Sequence, residues 1–322
     1  MKILVTGGAG FIGLEIVKQL SIEKSNQVVI LDDLSKQGED DELLEVISQS
    51  NVSFHKLDMS NPDCFSMIDS DFDQIYHLAA IVGVSNVMNN PLLTLNVNIR
   101  STLNLLDFVT QMKKKPSILF TSSCENYAGS IELDVASIPT PEHVPLCITD
   151  VFNPRWTYAS SKIIGEQAFL YYAEKYNLRS RIIRYHNVYG PRMGTHHVIP
   201  EFIQRVLNKE NPFNMYGGDQ YRTFCYVSDA AKMTINVMND SKNSLYNIGS
   251  SDDEILIRDI AELLFSISDH HPDIEENGAP NGSVTHRKPD MTKMNDEGLY
   301  VYRTNFEEGL KKTFDWYQKH KV

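Results

Sequence analysis

The segment TGGAGFIG, residues 6–13, constrains the fold more than any other. It follows an apolar run, KILVT at 2–6, and opens a helical pattern that continues through Leu20. Gly7, Gly10 and Gly13 are evenly spaced within it. Glycines let the backbone turn tightly and come close to a pyrophosphate. The helix that follows points unpaired N–H groups and a partial positive charge at the same spot. A strand, a glycine loop and a helix in that order form a phosphate-binding entry to a parallel α/β fold.

The rest of the chain repeats the theme. QVVILDD at 27–33, VSFHKLD at 52–58, QIYHLAA at 74–80, SILFTSS at 117–123 and RSRIIRYHNVYG at 179–190 read as strands. Residues 92–112 and 156–176 carry helical patterns. Strands alternating with helices predict a Rossmann-type, doubly wound parallel sheet, covered on both faces. After Gly190 the composition changes. PFNMYGGDQYRTFCYVSDAAKMTINVM reads as a hairpin-like segment, a short strand and a helix, and 268–298 as loops. We expect a cofactor-binding domain over 1–189, with the chain returning to it around 223–248. A smaller C-terminal substrate-binding lobe is expected from 190–222 and 249–322, with a cleft between the two.

Composition narrows the function. The net charge of −12 argues against nucleic acid as the main partner. No apolar run reaches the roughly 18 residues that span a bilayer, and the start is too short for a signal peptide; no membrane association and a cytoplasmic location are the expectation. Cys64, Cys124, Cys147 and Cys225 show no CxxC spacing and read as free thiols. The pairs His196/His197 and His270/His271 have no third ligand nearby, so no metal is expected. NVS at 51 and NGS at 281 match a glycosylation pattern that has no meaning without secretion.

Asp32 ends the second strand. A carboxylate there accepts hydrogen bonds from the adenosine ribose and repels a 2′-phosphate; Asp33 adds to the repulsion and no arginine is near in sequence. The cofactor is therefore read as NAD. Asp58, ending the third strand, is placed to meet the adenine amino group. Tyr158 and Lys162 stand four apart on a helix, a spacing that by itself says only that they share a face.

With the glycine loop, Asp32, HLAA at 77–80 and Y-x-x-x-K in order, the chain resembles the extended short-chain dehydrogenase/reductase family of nucleotide-sugar epimerases, dehydratases and decarboxylases. NVNIRSTLNLLD at 96–107 (with Ser101 where the family has glycine), RYHNVYGPRM at 184–193, YGGDQYRTFCYVSDA at 216–230 and GLKKTFDWY at 309–317 extend the resemblance over nearly the whole chain. It implies NAD, held tightly by Gly7, Gly10, Phe11, Ile12, Gly13, Asp32, Asp58, Met59, Ala79, Ala80, Asn98, Tyr158, Lys162 and His186. It makes Tyr158 the base that takes the proton of a secondary alcohol. An ordinary phenol, at about 10, is too high for that task, and the Lys162 ammonium and the nicotinamide charge would both favour phenolate. Ser123 is expected on the same substrate oxygen, and Glu125 beside it.

The implied substrate is a UDP-, dTDP- or GDP-linked sugar, met by Cys124, Asn187, Val198, Arg222 and Arg287. Sugar 4,6-dehydratases in the family carry Asp-Glu where this chain has Cys124 and Glu125, so dehydration is disfavoured; decarboxylases carry Ser-Glu, and one bacterial group of them resembles NPRWTYASSK at 153–162. The resemblance therefore implies oxidation at C4, as a 4-dehydrogenase or 4-epimerase in polysaccharide or sugar-nucleotide biosynthesis. Decarboxylation of a nucleotide-linked uronic acid is the alternative, with a 4,6-dehydratase or a non-catalytic NAD-sensing protein behind it. A homodimer or higher homo-oligomer through helices near 92–112 and 156–176 is also implied.

Overall fold

The computed structural model describes residues 1–320 apart from 37, 243, 253 and 279–284, so the NGS pattern at 281 lies outside the described residues. The amino-terminal half supplies β1 (Lys2–Thr6), α1 (Phe11–Ser21), β2 (Gln27–Asp32), α2 (Asp41–Ile47), β3 (Val52–Lys56), β4 (Gln74–His77), α3 (Val84–Asn89), α4 (Pro91–Gln111), β5 (Ser117–Ser123), α5 (Ala128–Glu132), α6 (Trp156–Tyr176) and β6 (Arg179–Tyr185). Then come β7 (Val188–Tyr189), α7 (Val198–Leu207), β8 (Phe213–Tyr216), β9 (Tyr221–Arg222), β10 (Cys225–Tyr226), α8 (Val227–Asp240) and β11 (Leu245–Ile248). The carboxyl-terminal part adds β12 (Ile255–Leu256), α9 (Ile257–Ser268), β13 (Ile274–Asn277), β14 (His286–Arg287), α10 (Thr292–Asp296) and α11 (Phe306–His320).

Seven of these strands form one sheet in the order β11-β6-β5-β4-β1-β2-β3, and every neighbouring pair is parallel. The strands are short runs of Val, Ile and Leu because both faces are covered. On one face α1 and α8 bury Leu14, Val17, Met233 and Val237 against Val5 and Ile30. On the other, α4 and α6 bury Leu105, Leu106, Val109 and Phe169 against Leu4, Ile75 and Phe120. The chain winds from β1 to β3 in one direction and from β4 outward in the other. The crevice where that order reverses opens at the carboxyl ends of β1 and β4, where such sheets bind ligands.

A third cluster stands apart from the sheet. It joins Ile203 and Val206 of α7, Phe213 and Met215 of β8, Ile260 and Leu264 of α9, and Leu310 and Phe314 of α11. Among the described residues no helix is long and apolar enough to cross a membrane, and no group of three or more His, Cys, Asp and Glu side chains could hold a metal ion.

Three local expectations need correction. The strand read over 179–190 is two strands, because Asn187 takes a left-handed φ of +38° that asparagine tolerates, and this bends the chain out of the sheet. The segment from 212 onward is not a hairpin. β8 pairs in parallel with β13, while β9 pairs with β12 and β14. The run 268–298, read as loop, holds β13, β14 and α10 among its described residues. Those partners lie tens of residues away, so no local pattern announces them.

One contact fixes the position of α6. A Cβ added at Gly165 of α6 would lie 2.3 Å from the Phe120 ring of β5. Only glycine lets α6 lie this close to the sheet, and that closeness brings the earlier turns of α6 to the end of β5.

Candidate active site

The crevice is a cleft of ≈ 460 Å³, within the range of about 300–1,000 Å³ typical of ligand sites. At one end the glycine loop forms its floor. Gly7 has φ +69°, and a Cβ on it would sit 2.6 Å from the Ala79 nitrogen; a Cβ on Gly13 would sit 2.1 Å from the Gly7 carbonyl oxygen. Loop, helix and the segment after β4 thus meet backbone to backbone. Gly10 precedes α1 in extended conformation, with no side chain capping the helix, so the first N–H groups of Phe11, Ile12 and Gly13 remain for an anion.

Asp32 lines the same cleft. It accepts the Ala9 N–H at 3.1 Å and the Leu34 N–H at 2.9 Å. Burial raises its pKa, and these two donors work against that rise. Asp58 and Met59, which follow β3, and Ala79 and Ala80 complete this end; Asp58 also accepts from the Ser60 N–H and hydroxyl, at 2.8 and 2.9 Å. The open helix end, the glycine cradle and the ribose carboxylate fit a dinucleotide. Arg192, distant in sequence, donates to Asp40 at 2.8 Å and to the Ala9 carbonyl at 3.2 Å, and its charge reaches Asp32.

At the other end β5 and α6 converge. Tyr158 and Ser123 line the cleft together, close enough for the Ser123 hydroxyl to act on the phenol. Burial pushes the Tyr158 phenol above its ordinary value, the Ser123 hydroxyl opposes this, and Glu125 and Cys124 push the same way as burial. The protein's own groups therefore keep the phenol protonated at neutral pH, contrary to the lowering expected of Lys162. The Lys162 ammonium is buried and donates to the Thr121 carbonyl at 2.9 Å; it lies 5.8 Å from the Tyr158 ring centre. Burial pulls it down to about 7, against the attraction of Glu166.

Beyond Tyr158 the cleft is ionic. Glu125 accepts from Arg287 at 2.7 Å and from Arg155 at 3.3 Å. Burial raises its pKa, but the two guanidiniums outweigh it and bring the carboxyl to about 2. Glu125 is thus a fixed anion and not a proton donor near neutrality. Its pKa is depressed, so the stability it adds is complete above its ordinary value of 4.5 and is lost as the pH falls toward 2. Acid unfolding of wild type and Glu125→Gln, compared between those limits, should converge as the pH drops; parallel curves would contradict the clamp. Cys124 is buried with its thiol pushed up by burial, facing Arg287 and the Asn187 N–H. Asn187 lines the cleft, and its amide donates to the Thr223 carbonyl at 2.9 Å. Val198 at the start of α7 lines it as well.

The structure does not bring three expected residues to the cleft wall. Asn98 is 4% exposed, and its amide bonds both backbone groups of Ile81 and the Ser161 hydroxyl; it ties the segment after β4 to α6. His186 points to the opposite side of β6, toward Tyr127 and Asn247. Burial takes it to about 3, so it stays neutral. Side chains alternate along a strand, so Tyr185 is the one that lines the cleft, and the period-two rule would have found it. Arg222 donates to the Tyr221 and Thr285 carbonyls and to Gln220, and its charge acts on Glu125 and Cys124. Arg155, which does line the cleft, went unmarked although it stands in NPRWTYASSK.

A parallel sheet with this glycine loop and a Tyr-Lys helix defines a dinucleotide-dependent oxidoreductase fold. The family model for the NAD dependent epimerase/dehydratase family matches residues 3–249, and the chain belongs to that family. It is an enzyme of the extended short-chain dehydrogenase/reductase type, and NAD is its cofactor. Among curated relatives, the UDP-N-acetyl-alpha-D-glucosaminuronate decarboxylase of Bacillus cytotoxicus is 32% identical, covering 99% of this chain and 98% of that one. The putative UDP-glucose 4-epimerase of Methanocaldococcus jannaschii is 30% identical, covering 98% and 97%. The crystal structure of UDP-glucose 4-epimerase from Thermotoga maritima with UDP-glucose superposes with a TM-score of 0.86 at 28% identity, over 100% of both chains.

Proposed function

We propose that the protein oxidises the C4 hydroxyl of a nucleotide-linked sugar to a ketone. The observation that carries this reading is convergence. Ser123 and Tyr158 stand together in the same cleft as the glycine loop, with Lys162 behind them. Bound there, NAD supplies the acceptor for the C4 hydrogen and a positive ring beside the phenol. The chain's own groups do the rest. Ser123 and Tyr158 hold the C4 oxygen; the positive charges of Lys162 and of bound NAD would favour the Tyr158 phenolate, which takes the C4 hydroxyl proton and becomes neutral. The nucleotide end is held by Val198 of the smaller lobe and by Asn187 at the edge of the cofactor domain, with Arg222 as a more distant charge. The domain division expected from the sequence is part of the same proposal.

The ionic end favours one outcome for the ketone. Arg155 and Arg287, paired with Glu125, line the same cleft as Tyr158, and planar guanidiniums of this kind recognise carboxylates. A C6 carboxylate is β to a C4 ketone. The C5–C6 bond then breaks, carbon dioxide leaves, and the bonding pair passes into the C4 carbonyl, where Ser123 and Tyr158 receive the developing oxyanion. Glu125, held ionised, orients and does not deliver protons. The first curated relative's name, a uronate decarboxylase, supports this reading; the fold's likeness to a 4-epimerase supports the shared first step. A cytoplasmic, oligomeric enzyme is proposed on the resemblance given above. Incubation with UDP-, dTDP- and GDP-linked hexoses and hexuronic acids tests it. We expect loss of carbon dioxide from a uronic acid, seen by mass; inversion at C4 of a neutral hexose with no mass change would instead make the protein an epimerase.

A further inference from the structure

Behind the Tyr158–Lys162 pair lies a buried ionic knot that the mechanism above does not use. Glu166, one helical turn beyond Lys162 and 6% exposed, accepts from four donors. They are Ser122 at 2.6 Å, Asn126 at 2.9 Å, and the Arg184 Nε and Nη2 atoms at 2.8 and 2.5 Å. Arg184, 3% exposed, also donates to the Tyr127 hydroxyl at 2.8 Å and to the Glu142 carbonyl at 2.9 Å. Ser122 and Asn126 flank Ser123, Cys124 and Glu125. One carboxylate therefore joins α6, which carries Tyr158 and Lys162, to the end of β5, which carries Ser123, and to β6.

Ordering so many polar groups away from water is costly, and an apolar cluster of the same volume is often as stable. Packing alone therefore does not account for a bidentate ion pair at this point. We propose that Glu166, locked by Arg184, is a positioning residue that holds Ser123 against Tyr158 and keeps Lys162 cationic. The proposal rests on the reading of Tyr158 and Lys162 as the acid–base pair.

The surroundings of Lys162 make Glu166 its source of negative charge. On α6 itself the titratable neighbours are Tyr158, with a protonated phenol, and Glu166. From β5 come the Thr121 carbonyl at 2.9 Å and the Phe120 ring at 5.0 Å. From β4 comes His77, which burial takes to about 3 and which is therefore neutral. From α4, the uncharged Asn98 bonds the hydroxyl of Ser161, the residue before Lys162. Replacing Glu166 by glutamine removes the one attraction and leaves the Arg184 charge unanswered nearby; both changes favour a neutral Lys162.

The test follows the Lys162 Nζ resonance in isotope-labelled protein, with and without NAD, beside turnover. In Glu166→Gln the titration midpoint should fall by about one pH unit or more. Turnover should drop by about tenfold to a hundredfold, with KM and bound NAD unchanged. Ser122→Ala removes one hydrogen bond from the same carboxylate but no charge, and it should leave the midpoint where it is. An unmoved midpoint in Glu166→Gln, or an equal shift in Ser122→Ala, overturns the proposal. If Glu166→Gln does not fold, Glu166→Gln with Arg184→Met answers the question: the midpoint must still lie below that of wild type. Lys162→Met separates the two claims. Full turnover in that variant ends the acid–base reading itself, whereas an inactive Lys162→Met beside an unmoved midpoint in Glu166→Gln ends only this inference.

Discussion

Tyr158→Phe should lower the rate of ketone formation by about 10²- to 10⁴-fold, the usual worth of a positioned proton acceptor, while the protein still purifies with its NAD. The reason lies in what the hydroxyl does and does not hold. In the proposed reaction it meets the substrate oxygen beside Ser123, but the cofactor end of the cleft is built by the glycine loop, Asp32 and the segment after β4, none of which the substitution touches. The phenol sits in a site whose burial opposes its ionisation, so the rate should climb as pH rises from the acid side. The measurement is single-turnover formation of reduced cofactor, with bound NAD counted after denaturation. Equal loss of NAD and of activity would mean that Tyr158 only supports the cofactor.

Arg287→Met should be nearly as damaging, through the substrate. The Arg287 guanidinium lies 2.7 Å from Glu125. Loss of a charge-assisted hydrogen bond of this kind costs about 1.5–3 kcal/mol of stability. Glu125 then keeps only the Arg155 partner, and its pKa rises from about 2 toward 4.5. Removing one donor that faces developing negative charge typically lowers turnover by about 10²- to 10³-fold. The loss should be larger for a nucleotide-linked uronic acid than for the matching neutral hexose, because only the uronic acid offers a C6 carboxylate to the guanidinium. Comparing kcat/KM for the two sugars in wild type and variant tests this. An equal loss for both would assign Arg287 to the phosphates or to the fold and not to C6.

Local chemistry was legible in the sequence, and long-range placement was not. The glycine loop was readable because strand, turn and helix follow one another within residues 2–20. Tyr158 and Lys162 were readable as a pair because one helical turn joins them. His186 turns toward Tyr127 and Asn247, and Tyr185, one position earlier, lines the cleft. Asn98 bonds Ile81 and Ser161, partners 17 and 63 positions away. Arg155 and Arg192 depend on contacts across 30 and 152 positions of chain, which no local pattern encodes. The pairing of β8 with β13 escaped for the same reason.

A sugar nucleotide carrying deuterium at C4 puts the central claim to the most direct test. The account predicts a primary isotope effect on the appearance of reduced cofactor, and transfer of that label from the sugar. It predicts neither when the deuterium is at C5 instead. An unlabelled cofactor and equal rates for the C4-deuterated and ordinary sugars would contradict it.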